Sequence, residues 1–282
     1  MALKTYRPTT KSSRQMTRIN YRSLLSGHKP LKALKSGGKR DAGRNSQGRI
    51  TMRHRGGGHK QLYRAVDFKF DKKDIPAKIA SIEYDPNRSA FIGIAVYRDG
   101  EKRYIVLPKT AKVGDEFIVS AKAPAKAGNR LPLGEMPVGA FVYNIEIKPG
   151  AGGVLVRSAG NFAEVVAQDS GYTHIKLPST EIRKVIGTCW ATVGEVSNDE
   201  HRLENWGKAG RSRWKGIRPR VRGSVMNPVD HPYGGGEGKQ GRGRRRLVTL
   251  WGKPAGKGQK TRRPKKYSNV FILSRRKVGK RK

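Results

Sequence analysis

Asp230-His231-Pro232 is where acid–base chemistry first suggests itself in this sequence, because an imidazole beside a carboxylate can pass a proton near neutral pH. Residues adjacent in the chain need not touch, however, and no serine or cysteine nucleophile is marked nearby. A neutral His231 ring offering a hydrogen bond to a bound partner is the simpler use of the same group. A few residues on, Gly236-Glu237-Gly238-Lys239-Gln240-Gly241 matches the dinucleotide fingerprint G-x-G-x-x-G. That motif works where a strand runs into a helix N-terminus, and here it runs into Arg242, Gly243 and Arg244–Arg246. It is read instead as a glycine-rich loop whose N–H groups, flanked by Lys239 and Arg242, meet phosphate. No Walker A sequence is present.

Metal chemistry finds little to build on. The histidines are His28, His54, His59, His174, His201 and His231; none stands at ligand spacing from the single cysteine, and no His-Glu-x-x-His occurs. No cofactor is expected, and Mg2+ would enter only as part of an RNA complex. Cys189 sits among Ile186, Trp190, Ala191 and Val193, which reads as a small buried hydrophobe and not as a nucleophile. One cysteine cannot form an internal disulfide, which fits a reducing compartment.

The stronger signals interleave cations with glycine. One is Arg53-His54-Arg55-Gly56-Gly57-Gly58-His59-Lys60; the other is Gly207-Lys208-Ala209-Gly210-Arg211-Ser212-Arg213-Trp214-Lys215. Lys and Arg neutralise phosphates and release counterions, while glycine lets backbone come within hydrogen-bond reach of a partner. Arginine can also fork onto a phosphate or a base edge, and a tryptophan such as Trp214 can stack on a base.

Charge says where these groups belong. The chain of 282 residues carries a formal +40, a statement about partners and not about fold. Residues 1–60 hold 16 Lys+Arg and 1 Asp+Glu, residues 61–200 hold 19 and 17, and residues 201–282 hold 26 and 3. A nearly neutral middle thus separates two ends that expect a polyanion. No apolar run approaches the roughly 20 residues of a bilayer span. The N-terminus lacks the apolar stretch of a secretory signal.

The elements that must position these groups are mainly β. Residues 1–60 are broken by Gly37-Gly38, Gly43, Gly48 and Gly56–Gly58 and read as an irregular basic extension. Across 61–120, strands are expected at Tyr63–Phe70, Ala77–Tyr84, Ala90–Tyr97, Lys102–Leu107 and Glu116–Val119, with turns at Asp85-Pro86-Asn87 and Asp99-Gly100. Five short strands suit an OB-fold barrel. After a loop over 121–137, residues 121–200 give an SH3-like barrel. Its strands are expected at Val154–Arg157, Ala163–Ala167, Thr173–Leu177, Glu181–Ile186 and Ala191–Val196. Phe141, Tyr143, Ile145 and Ile147 form an apolar row on one face of a further strand. From 201 to 282 the strand pattern stops, and Gly, Arg and Lys with isolated Trp206, Trp214 and Trp251 read as an extension that orders on binding RNA.

Several stretches resemble the bacterial-type ribosomal protein L-two family of the large subunit: Gly48–Arg64, Ile82–Ala90, Asp99–Ile105, Arg157–Gly160, Gly207–Gly238 and the basic tail near Tyr267–Arg276, in that order along the chain. The resemblance implies an OB-fold barrel followed by an SH3-like barrel, with both ends threading into large-subunit rRNA. It adds Arg64, Arg88, Arg218, Arg220, Arg222 and Asn227 to the RNA-binding candidates. It also implies contact with small-subunit rRNA across the subunit interface, with the tRNA region and with the peptidyl-transferase region, where His231 and its loop would belong. No homo-oligomer and no membrane partner are implied, and the expected location is the cytoplasmic ribosome or a bacterial-type organelle ribosome. The family usually has His-Pro-His before the glycines; here the run is His231-Pro232-Tyr233. The chemistry of peptidyl transfer belongs to RNA in this family, so no catalytic residue is assigned. Two rival classes fare worse. An RNA-modifying enzyme needs a pocket of convergent polar groups, and a peripheral membrane binder needs an amphipathic helix or lipidation signal; the sequence marks neither.

Overall fold

The computed structural model describes residues 3–27, 29–38, 41–238, 243–256, 259 and 261–276. Among the described residues the strands are, in chain order, β1 (Leu3–Thr5), β2 (Thr17–Ile19), β3 (Lys35–Gly37), β4 (Leu62–Arg64), β5 (Ala77–Glu83), β6 (Ile92–Tyr97), β7 (Lys102–Val106), β8 (Glu116–Phe117), β9 (Arg130–Pro132), β10 (Phe141–Tyr143), β11 (Ala163–Asp169), β12 (Tyr172–Lys176), β13 (Ile182–Ile186), β14 (Trp190–Val193) and β15 (Ile272–Ser274). Among the described residues two short α-helices join them, α1 (Tyr21–Leu24) and α2 (Ala209–Trp214).

Contacts divide the chain into two compact units. One takes in residues 1–39, 60–209 and 270–282; the other takes in 40–59 and 210–269. We call them the barrel body and the cationic unit. In the body, β7-β6-β5-β8 form an antiparallel sheet, and Val66 bridges Tyr104 in parallel on its far edge. Alternation explains β5: Ala77, Ile79, Ser81 and Glu83 point inward and the residues between them do not. The core beneath is Ile79, Ala95, Tyr97, Ile105, Leu107, Phe117 and Val119. The inward polar pair is satisfied, because Ser81 Oγ donates to Glu83 Oε1 at 3.0 Å and Tyr104 OH donates to Glu83 Oε2 at 2.8 Å. This is the OB-fold barrel. The SH3-like barrel is the sheet β15-β13-β12-β11-β10-β14-β9 around Leu131, Val142, Ile145, Val165, Ile175, Val185 and Ala191. Cys189 lies in that core, and burial pushes its thiol up to about 11.

A buried ion pair of the SH3-like barrel reaches the first barrel through its arginine. Arg130 Nη2 donates to Glu146 Oε1 at 3.0 Å, and both side chains are essentially inaccessible. Arg130 Nη1 donates to the Asn144 carbonyl at 2.8 Å, and the guanidinium lies 4.8 Å from the centre of the Phe70 ring in the first barrel's core. The backbone of Arg130 also bonds to Ile118 and Ser120. The other carboxylate oxygen of Glu146 accepts the N–H of Trp190 at 3.1 Å. Every partner a buried charge needs is therefore present. A further small cluster packs Ala90, Val106, Tyr143 and Val196 together.

The structure differs from the sequence reading in several places. The strand expected at Tyr63–Phe70 is cut short, because Asp67 Oδ1 accepts the N–H groups of Lys69 and Phe70 and turns the chain. Phe141 is exposed while Val142, Asn144 and Glu146 are buried beside Tyr143 and Ile145, so the expected one-faced row is absent. The cause is position: β10 is an interior strand between β11 and β14, and the chain beyond it encloses the Arg130–Glu146 pair. Val154–Arg157 forms only a bridge from Leu155 to Ile145. The loop read over 121–137 contains β9, and the tail contributes β15.

Divisions at 60, 120 and 200 do not follow the contacts either. The described N-terminal segment is strapped to the body: Leu31 donates its N–H to Tyr104 OH at 2.9 Å, Ser26 bonds to Ile82 through both backbone and side chain, and β3 pairs with β4. Thr17 bridges Asn205. Much of what reads as extension therefore belongs to the folded body.

Candidate nucleic-acid interface

The cationic unit is built from stretches remote in sequence. Gly56 donates its N–H to the Gly216 carbonyl at 3.0 Å, His59 to Trp214 at 2.8 Å, and Arg218 to His54 at 2.9 Å. The His54 Nδ1 lies 3.1 Å from the Pro219 carbonyl oxygen. The two cation–glycine stretches thus meet in this unit, with residues 54–59 beside 214–219. Glycine is needed at the crossing: Gly58 has φ +85°, and a Cβ there would lie 2.6 Å from the Gly216 nitrogen and 2.7 Å from the Trp214 oxygen. Local bonds fix the rest. The α2 turn ends where Lys215 and Gly216 donate back to Arg211 and Arg213, and the Asn45 side chain accepts Gln47 and Arg49 N–H groups to close a turn.

Side-chain placement follows from this weave. Arg53, Arg55, Arg213, Trp214, Lys215, Arg218, Arg220, Arg222 and Asn227 are exposed in the unit, as is His59; Gly57 is exposed between them. Lys60 and Lys208, also exposed, belong to the barrel body. Three of the expected contact residues are placed otherwise. Arg64 is buried on β4, donating to the Leu62 carbonyl at 2.9 Å, and Arg211 is buried on α2. Arg88 is half-buried and pairs with the fully buried Asp85 at 2.6 Å, with its guanidinium 5.3 Å from the Phe68 ring centre. Strand, helix and turn geometry turn these three inward, which their residue type does not reveal. Lys239 and Arg242 lie outside the described residues.

His231 has a defined seat. It is half-buried against Gly223, where a Cβ would come within 2.5 Å of the imidazole. Its Nδ1 accepts the Tyr233 N–H at 3.0 Å. An accepting nitrogen carries no proton, so the neutral ring keeps its hydrogen on Nε2. The Tyr233 ring stands 5.0 Å from the imidazole, and its hydroxyl accepts the Val248 N–H. That bond ties the His231 loop to a hairpin turn in which Val248 bridges Pro254 and Trp251 is 78% exposed at the tip. Asp230 is exposed, so the adjacent pair in the sequence is no buried dyad.

Electrostatics separate the units. The cationic unit holds 23 Lys+Arg against 3 Asp+Glu; the barrel body holds 38 against 18. In the body, Arg103 meets Asp67, Asp71 and Glu101, and these contacts hold the Asp71 and Glu101 carboxyls below their ordinary values. A cleft of about 640 Å³ opens on the cationic unit beside Arg44, Arg53, Arg55 and Arg218. Among the described residues no group of three or more His, Cys, Asp or Glu is placed to hold a metal, and no helix is long and apolar enough to cross a membrane.

Sequence reasoning missed the apolar members of that cleft, Ile50, Met52, Val221 and Met226. They lie in glycine-broken segments with no periodicity to mark them.

Two small barrels and a separate arginine- and glycine-rich unit define a structural RNA-binding protein. Residues 31–120 match the family model for Ribosomal Proteins L2, RNA binding N-terminal domain, and residues 126–252 match that for Ribosomal Proteins L2, C-terminal domain. The chain belongs to the ribosomal protein L2 family, whose members are structural, rRNA-binding proteins of the large ribosomal subunit.

Proposed function

We propose that the cationic unit is the surface through which this protein organises large-subunit rRNA. The observation that carries this is the backbone pairing of 54–59 with 214–219, which gathers arginines from both basic stretches into one acid-poor unit. The exposed candidates Arg53, Arg55, Arg213, Lys215, Arg218, Arg220 and Arg222 neutralise phosphates there, and His231 offers its Nε2 hydrogen to an RNA acceptor; Lys60 and Lys208, in the barrel body, are further phosphate contacts. The protein acts as a scaffold for subunit association, for tRNA binding and for the peptidyl-transferase region, and it performs no chemistry itself. It takes no cofactor, and Mg2+ belongs to the surrounding RNA. It works as a single copy in a cytoplasmic or bacterial-type organelle ribosome, touching small-subunit rRNA and the tRNA region without a membrane partner.

Gradient fractionation of cell extract tests this. The chain should travel with the large subunit and with joined ribosomes. Replacing His231 by Ala should lower tRNA occupancy or subunit joining while leaving the protein on the particle. A chain that stays at the top of the gradient contradicts the proposal.

A further inference from the structure

We infer that the cleft of the cationic unit is a receptor for one unpaired nucleotide extruded from an rRNA helix. The inference rests on the cationic unit being an RNA surface, and it goes further by naming what part of the RNA enters and which residues select it.

The cleft joins two chemistries that rarely coincide on a surface. Arg44, Arg53, Arg55 and Arg218 line it together with His54, and no carboxylate does. Such a lining selects an anion. Its remaining side chains are apolar, and three of them are open to solvent: Ile50 is 61% exposed, Met52 54% and Val221 54%. Exposed aliphatic side chains grouped in a concavity mark a surface awaiting an apolar partner. A paired RNA helix presents phosphates and sugar edges, and these give the aliphatic wall nothing to cover. A nucleotide swung out of a helix brings both parts at once: a phosphate for the arginines and a flat base for Ile50 and Met52, with a guanidinium plane free to lie on its face. The volume of about 640 Å³ is large enough for a nucleotide.

The cleft is also held open by backbone. Thr51 and Met52 donate to the Gly43 carbonyl at 2.9 Å each, and a Cβ on Gly43 would meet the Met52 oxygen at 2.1 Å. Its other wall is set by the bond from Arg218 to His54. A preformed receptor does not have to be ordered on binding, which favours selectivity over general stickiness.

The test compares two RNA hairpins of the same stem, one fully paired and one with a single unpaired adenosine, using the full-length chain. Wild type should bind the bulged hairpin about tenfold more tightly, a ratio in keeping with burial of part of a base face. In Ile50→Ser/Met52→Ser that ratio should fall to within about twofold, while affinity for the paired stem and its salt dependence stay as in wild type. With 2-aminopurine at the unpaired position, emission should change on adding wild type and stay unchanged with the double variant. The reporter needs no variant, so a misfolded Ser/Ser protein would not leave the inference untested. Equal affinity for both hairpins, or a preference that survives the double substitution, overturns it while leaving the RNA surface intact. An acidic apolar peptide that fills the cleft in competition with the bulged hairpin overturns it in favour of a protein partner. Failure to bind either hairpin at low salt would remove the RNA surface itself.

Discussion

Arg103 in the barrel body is surrounded by Asp67, Asp71 and Glu101, and Arg130 is sealed against Glu146. In the cationic unit 23 Lys+Arg share 3 Asp+Glu, and Arg53, Arg55, Arg213, Arg218, Arg220 and Arg222 all face solvent. The same residue type does opposite work in the two regions. Where carboxylates accompany the arginines, charge organises the interior and orients the barrels. Where they do not, the backbone must hold the chain against its own repulsion, and glycine crossings such as Gly58 over Gly216 supply that hold. The charge left over is directed outward to polyanion.

The comparison can be broken most forcefully at Arg130. Arg130→Ala strands Glu146 without its cation, at an expected cost of about 3–5 kcal/mol. Thermal unfolding should fall steeply, and Arg130→Met with Glu146→Leu should recover most of the loss, because the pair then leaves together. A small effect of Arg130→Ala would mean that the barrels do not depend on this pair.

Alkaline pH attacks the body in a second way. Burial pushes the Tyr97 hydroxyl from 10.0 to about 12 and drives the Tyr143 hydroxyl higher still. In the unfolded chain these tyrosines ionise first. The stability they confer is therefore complete below pH 10 and declines as pH rises from 10 toward 12. Circular dichroism of the strands across that window should show progressive loss of stability, and a flat profile would contradict the burial.

In the cationic unit the sharpest probe is Gly58→Ala. The added carbon meets backbone on both sides and sits at positive φ, at a cost of about 1–3 kcal/mol. Amide exchange should quicken at His59 and Arg218 and stay unchanged on β5 and β6. Loss of protection in the barrels as well would mean that the body depends on the crossing. The mildest change is Tyr233→Phe, which removes the acceptor for the Val248 N–H and should cost about 1 kcal/mol. Faster exchange at Val248 with an unmoved melting temperature would locate the effect in the hairpin bearing Trp251.

What the sequence revealed followed periodicity. β5, β6, β7, β11, β12 and β13 stand where alternating runs end in turn residues, since a strand with one wet face writes its pattern into the chain. β9 was hidden by Pro132 and Gly134, and β15 is a lone edge strand in a basic tail. Neither has a pattern of its own. Arg130 and Glu146 looked like surface charges because pairing depends on three-dimensional closure. The joining of 54–59 to 214–219 is carried by backbone groups, which every residue has, across more than half the length of the chain. Residue type could nominate Arg64 and Arg211 for RNA; only the fold could bury them.

The claim that charge faces inward in one region and outward in the other is tested most directly by the salt dependence of rRNA binding in two matched variants. One replaces Arg213, Arg218, Arg220 and Arg222 by Gln; the other replaces the exposed body residues Lys78, Lys122, Lys126 and Lys148 by Gln. Both lose the same charge. The slope of log K against log salt should fall by about one for each arginine removed from the cationic unit, and should hardly change in the body variant. Equal slopes in the two variants would contradict the account.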